Sequence, residues 1–166
     1  MNYFLHGFGV FLGVLAGTAV TLLTQWIAKI RSEKQRVKNL RFEFELNIKK
    51  IERWLQEITH YRNAVNGDAL NMYAGYFDLA RFVTVTADKM FQAGLLYKYL
   101  NYQEIGDLQI IVSEFSLHGD QYLNNQIAQN KAYFDKQKAV SDVNFWEKKF
   151  KDHKKTMEDL LNKLPK

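Results

Sequence analysis

From Tyr3 to Ala28 the chain carries no Asp, Glu, Lys or Arg, and His6 is the only side chain there that ionises near neutrality. A helix over these residues would rise about 39 Å, more than the roughly 30 Å hydrocarbon core of a bilayer requires. Tyr3 and Trp26 stand near its two ends, where amphipathic rings anchor at membrane interfaces. The pattern predicts a transmembrane helix over residues 1–28. A cleaved signal peptide would need a basic leading region, and residues 1–10 contain no Lys or Arg.

Beyond residue 28 the pattern becomes amphipathic without a Gly or Pro break. Val37, Leu40, Phe44, Ile48, Ile51, Leu55 and Ile58 follow one another in steps of three and four, which is a helical seam. It predicts helix to about Val65, with Asn66-Gly67-Asp68 as a turn. The seam packs either on its own domain or in an intermolecular coiled coil, and part of it is expected to remain for partners. Residues 69–85 read as helix or as extended chain near Val83–Thr86. Thr86 is the expected N-cap of a short helix ending at Gly94. Asn101 and Glu104 have capping-box spacing ahead of Ile105, Leu108, Ile111, Val112 and Phe115. Gly119 bends or ends that helix, and Leu123 and Ile127 resume it. Ser141 or Asp142 is the expected cap of a last helix with Trp146, Phe150, His153, Met157, Leu160 and Leu164 on one face. The predicted fold is all-α: one N-terminal transmembrane helix, a basic juxtamembrane segment over 29–41 continuing as helix, and a small cytosolic helical bundle over 42–166.

Composition sharpens this picture at two points. The absence of cysteine removes disulfides, thiolate metal sites and cysteine nucleophiles. A single proline, Pro165, leaves long helices unbroken. Charge adds the orientation. Lys29, Arg31, Lys34, Arg36, Lys38 and Arg41 are opposed within 29–41 only by Glu33, a local excess of +5 that equals the net charge of the whole chain. The remainder is therefore neutral overall. A basic flank on the C-terminal side of the span predicts an N-terminus outside, periplasmic if the cell is Gram-negative, and a cytoplasmic C-terminal domain. These side chains are expected at the membrane surface, against anionic lipid headgroups.

Within the span, Gly9, Gly13 and Gly17 are spaced by four, and Thr21 and Gln25 continue the row. Glycine lets helices approach closely, and Thr or Gln can bond across the contact. The row predicts homo-oligomers packed through this face, which either packs dry or lines water.

Candidate chemistry is sparse. There is no phosphate-binding glycine loop, no HExxH and no GxSxG. His6, His60, His118 and His153 have no metal-ligand spacing, so neither a metal nor a cofactor is expected. The chain reads as non-enzymatic. Arg53 and His60, seven apart on one face, have a spacing that resembles the Arg…His pair of the HEPN helical ribonucleases, with Trp54 where those carry a polar residue. The same pair reads equally as a surface arginine and a surface histidine. His60, Arg62, Asn63, Tyr73, Tyr76 and Arg81 form a sequence-local group able to stack bases, grip phosphate and read base edges. As a ligand site it would suit a small nucleotide; the neutral domain lacks the basic track that long nucleic acids demand. The alternative is that these aromatics fill the core.

The order of elements, with Leu40-Arg41-Phe42-Glu43, Asn47 four residues after Glu43, and the Phe91-Gln92-Ala93-Gly94-Leu95 turn, resembles the membrane-bound ancillary effectors of type III CRISPR antiviral defence. The resemblance implies a cytosolic domain that senses cyclic oligoadenylate, such as cyclic tetra-adenylate, and transmembrane helices that then rearrange to permeabilise the membrane. The alternative is a non-enzymatic membrane-anchoring or scaffold subunit of a larger complex.

Overall fold

A computed structural model describes the backbone of residues 2–165 and the side chains of residues 13–165. The described residues form an all-α structure with five α-helices and no strand: α1 (Asn2–Asn66), α2 (Val85–Gln92), α3 (Tyr102–Glu114), α4 (Leu117–Ala132) and α5 (Lys136–Lys163). Short 3₁₀ turns occur at Leu70–Met72, Leu79–Arg81 and Leu96–Lys98. The chain divides into two compact units, Met1–Lys38 and Asn39–Lys166.

In the first unit, α1 is long and apolar enough to cross a membrane, with an 18-residue window of mean hydropathy 1.3 that is not buried at all. In the second unit, the predicted seam becomes one wall of the core. Leu40, Phe44, Ile48, Ile51 and Ile58 are buried, joined by Trp54, Tyr61 and Val65, while Leu55 is only half-buried. The seam is thus used within the domain, and the expectation that part of it stays free for partners does not hold for this stretch. Facing residues come from α3 (Ile105, Leu108, Ile111), α4 (Leu123, Ile127) and α5 (Val143, Trp146, Phe150, Met157, Leu160).

Phe150 is the centre of this core. Its ring lies 5.7–6.0 Å from the rings of Trp54, Phe77, Phe115 and Trp146. Offset and tilted aromatic contacts at these distances add to the burial of the rings themselves. Aromatic rings thus pack three separate segments, at Trp54, Phe77 and Phe115, onto α5.

Helix ends follow local chemistry in some places and remote chemistry in others. The turn after α1 forms as expected, although Asp68, and not Gly67, takes the left-handed conformation (φ 52°). The Asn101–Glu104 capping box is present in both directions, at 3.0 and 2.7 Å. Gly94 ends α2 at φ 67°, with Leu95 N–H closing back on the Met90 carbonyl at 2.9 Å. The break between α3 and α4 falls at Phe115–Ser116, and Ser116 caps α4. Gly119 sits in the first turn of α4, where a Cβ would come within 1.8 Å of the Glu114 carbonyl oxygen.

Two expected caps are displaced. The start of α5 is capped by Asp135, which accepts from Lys138 N–H at 3.0 Å, several residues before Ser141 and Asp142. The N-cap position of α2 is Thr84, not Thr86, and the Thr84 hydroxyl is turned to Asp88. The N–H groups there are satisfied from α1 instead.

Candidate functional site

The stretch from Tyr73 to Thr84, irregular apart from the 3₁₀ turn at Leu79–Arg81, crosses the domain as a strap with Phe77, Leu79 and Phe82 buried beneath it. Its backbone groups would be orphaned without partners. Two helices supply them with the same device, an acid followed four residues later by an asparagine. On α1, Asn47 donates to the Val83 carbonyl at 2.6 Å and accepts from Val83 N–H at 2.9 Å. One turn earlier, Glu43 accepts from Thr86 and Ala87 N–H at 2.7 and 3.0 Å, serving as a remote cap for α2. On α4, Asn124 donates to the Phe77 carbonyl at 2.7 Å and accepts from Phe77 N–H at 3.1 Å. Asp120 accepts from Leu79 N–H at 3.1 Å and from the Tyr76 hydroxyl at 3.0 Å. Glu43, Asn47 and Asp120 are all buried, and spacing by four sets each pair on one helix face.

A third polar anchor fixes the start of the strap. The Tyr73 hydroxyl donates to Glu57 at 2.7 Å, and Lys131 donates to the Tyr73 carbonyl. Burial, with the Glu57 bond, pushes the Tyr73 phenol far above its usual range. Gly75 passes so close to this pair that a Cβ there would meet Glu57 Oε1 at 1.8 Å and the Tyr73 hydroxyl at 2.3 Å.

The six candidate ligand residues are distributed along this architecture. His60 is exposed and lies 3.8 Å from Glu57, which also holds Tyr73. Arg62 points to α5, bonding Asn144 at 2.9 Å and Glu147 at 2.5 Å. Asn63 is exposed, and its carbonyl closes the turn to Gly67. Tyr73 is buried beside Tyr61, their ring centroids 5.1 Å apart. Tyr76 exposes its ring while Asp120 fixes its hydroxyl. Arg81 is exposed and pairs with Asp78 at 2.7 Å. No described hydrogen bond or ion pair joins any of these six side chains to another.

Sequence proximity hid a different grouping. Lys50 and Arg53 lie three apart on α1, and Lys50 Nζ donates to the Arg81 carbonyl in the 3₁₀ turn of the strap. Burial holds the Lys50 ammonium below its usual range; the Arg81 and Arg53 charges add to the lowering, and Asp78 opposes it. Arg53 is exposed and makes no hydrogen bond or ion pair among the described residues.

In the first unit, Val14, Leu15, Val20, Leu22, Leu23, Trp26 and Ile27 are all exposed. A Cβ added at Gly13 or Gly17 would meet nothing within 4 Å, so no contact inside the chain demands glycine there. Gly9 lies outside the residues whose surroundings are described. Thr21 donates its hydroxyl to the Gly17 carbonyl of its own helix at 2.9 Å, and Gln25 is exposed. Of the basic stretch, Lys29, Arg31, Lys34, Arg36 and Lys38 are exposed. Arg41 is half-buried and differs from them: it donates to the carbonyls of Leu161 and Leu164 at 3.2 and 2.8 Å, satisfying the C-terminal end of α5.

Two concavities lie elsewhere in the second unit. An apolar groove of about 180 Å³ lies between α2 and α3, walled by Phe91, Leu96, Ile105 and Leu108, and its ionisable member is Asp88. A wider cleft of about 570 Å³ is lined by Glu104, Asp107, Asp159 and Lys163. Neither is suited to an anion, since the first has no cation and the second is mostly acidic. No cluster of metal-ligating side chains occurs among the described residues. Comparison with protein-family models, with curated proteins and with solved structures finds no match to this chain.

Proposed function

We propose that this chain is a single-pass membrane protein whose helical domain works by binding and assembly on the cytoplasmic face, not by catalysis. The observation that carries the reading is the exposed apolar surface of α1. Leu22 and Trp26 are each 61% exposed, and the charge-free run ends directly at Lys29. Such a surface is costly in water and costs nothing in lipid. The basic flank orients the helix with the domain inside. Gly13 and Gly17, where no contact within the chain requires the missing side chain, support close packing between copies in the bilayer.

The test is fractionation of full-length protein made in bacteria, with alkaline carbonate washing and a topology reporter at each end. The reading expects the intact chain to stay in the washed membranes, with its C-terminus cytoplasmic. Release into the wash, or loss of residues 1–28 from the membrane-bound species, would overturn it.

A second reading, favoured by one observation, makes the same protein a ligand-gated effector in antiviral defence. Between Gly17 and Gly67 the chain has neither Gly nor Pro, and α1 is assigned without interruption to Asn66. A messenger such as cyclic tetra-adenylate would act through such a helix only by binding one arrangement of the assembly more tightly than another. The experiment that separates the readings is dye leakage from vesicles containing the protein, with and without that nucleotide. Leakage on addition favours the effector; intact vesicles favour the anchoring subunit.

A further inference from the structure

We propose that Lys50, Arg53 and Arg81 together form a binding site for a small phosphate-bearing anion on the face where the strap crosses α1. This goes beyond membrane anchoring and does not depend on it.

The first argument is charge. Converging cations elsewhere in the domain have carboxylates between them: Glu147 joins Arg62 and Lys151, and Glu114 joins Lys149 and His153. At the strap, Lys50 is bonded to the Arg81 carbonyl and lies one helical turn from Arg53, and the one carboxylate felt by Lys50, Asp78, is paired with Arg81. Glu57, one turn beyond Arg53 on α1, accepts from the Tyr73 hydroxyl and keeps its charge, so three cations stand against two carboxylates. The cluster therefore keeps a positive excess, and an incoming anion would relieve repulsion that is already present.

The second argument is unused donors. Arg53 offers its whole guanidinium. Arg81 commits Nε to Asp78 and leaves its terminal nitrogens to solvent, its side chain being 81% exposed. Lys50 has spent one of three N–H groups on the Arg81 carbonyl. Two guanidinium forks and an ammonium are the set that matches the several oxygens of a phosphoryl group.

The third argument is placement. Arg81 is not on a free loop: Asn47 holds Val83, Asp120 holds Leu79, and Lys50 itself holds the Arg81 carbonyl. The strap is thereby fixed on both sides of the arginine, so less conformational freedom is lost on binding. Tyr76, on the same strap and within electrostatic reach of Asp78, presents an exposed ring whose hydroxyl is pinned by Asp120. A planar ring attached to the phosphate would find a stacking surface there, which points to nucleotides within the phosphate class.

The test is calorimetric titration of the full-length protein in neutral detergent with pyrophosphate, ADP and glycerol 3-phosphate. Binding of at least one is expected, weakened roughly tenfold or more by Arg53→Gln and by Arg81→Gln. Lys34→Gln, in the basic flank, should leave it unchanged. ADP binding more tightly than pyrophosphate assigns a nucleotide; ADP binding no more tightly than pyrophosphate assigns the phosphoryl group alone, as on a headgroup. Absence of binding by all three to protein that melts normally overturns the proposal. So does affinity that survives both arginine substitutions.

Discussion

Asn47 closes both backbone groups of Val83, donating to its carbonyl and accepting from its N–H, as a neighbouring β-strand would. A helix side chain here replaces a sheet partner, and Asn124 repeats the arrangement on Phe77. Asparagine suits this because its amide carries a donor and an acceptor side by side. Aspartate or leucine at position 47 would leave one or both Val83 groups unpaired.

Asn47→Leu should therefore lower stability by about 2–4 kcal/mol, the cost of buried backbone groups left without partners. Asn124→Leu should do the same. The two clamps hold one strap, so the double variant should lose less than the sum of the singles. Chemical denaturation followed through Trp54 and Trp146 fluorescence measures all three.

Glycine substitutions should divide sharply. Gly119→Ala drives a Cβ into a backbone carbonyl, which cannot swing away, and Gly75→Ala drives one into the Tyr73 ring as well as the mobile end of Glu57. Both should cost about 1–3 kcal/mol, as overpacking does, with Gly119→Ala the worse. Gly13→Ala and Gly17→Ala meet nothing within the chain and should leave the domain's melting unchanged. Cross-linking in membranes, compared with melting curves, distinguishes the two classes. An altered oligomer pattern for Gly13→Ala with normal melting is the expected signature.

Phe150→Ala removes the ring on which four others converge and should cost about 3–5 kcal/mol. Phe145→Ala, one turn earlier and exposed, should cost far less. Denaturation midpoints of the two variants give the comparison directly.

Acid sensitivity has an assigned origin. Burial pushes the Glu114 carboxyl up, but its bonds to Lys149 and His153 outweigh burial and hold it below its usual value near 4.5. Bonds to Arg62 and Lys151 hold Glu147 below that value too. A depressed carboxyl pKa stabilises the fold above the unfolded value, and that contribution disappears as pH falls through the folded value. Melting temperature should then fall as pH drops from about 5 toward 3, and Glu114→Gln with Glu147→Gln should flatten that slope. The reading fails if the slope of the double variant matches that of the parent.

Local spacing made the capping box at Asn101 and Glu104 legible, because both partners lie within one helical turn. The α1 seam was legible for the same reason, since burial follows its period of three and four. The α2 cap was not: its carboxylate comes from Glu43, and no nearby residue signals it. The early start of α5 was hidden because only Ala139 is buried between Lys136 and Val143, so the apolar period begins later than the helix. The ligand group of His60, Arg62, Asn63, Tyr73, Tyr76 and Arg81 was assembled from neighbours in sequence, and folding turns these side chains to different partners. The proposed cationic site draws Lys50 and Arg53 together with Arg81 across 27 or more intervening positions, through the bond of Lys50 to the Arg81 carbonyl. Only the path of the strap reveals it.

The bond from Arg41 to the carbonyls of Leu161 and Leu164 also has a meaning for the order of synthesis. The arginine emerges from the ribosome almost at the start of the domain, while its acceptors follow 120 and 123 residues later. Closing so long a loop comes late and slowly. Until then, the apolar wall of α1 from Leu40 to Ile58 lacks its cover from α5. A nascent chain held back at that stage would present part of this wall to chaperones, and a chain truncated before Phe150 would leave it without the ring that packs on Trp54.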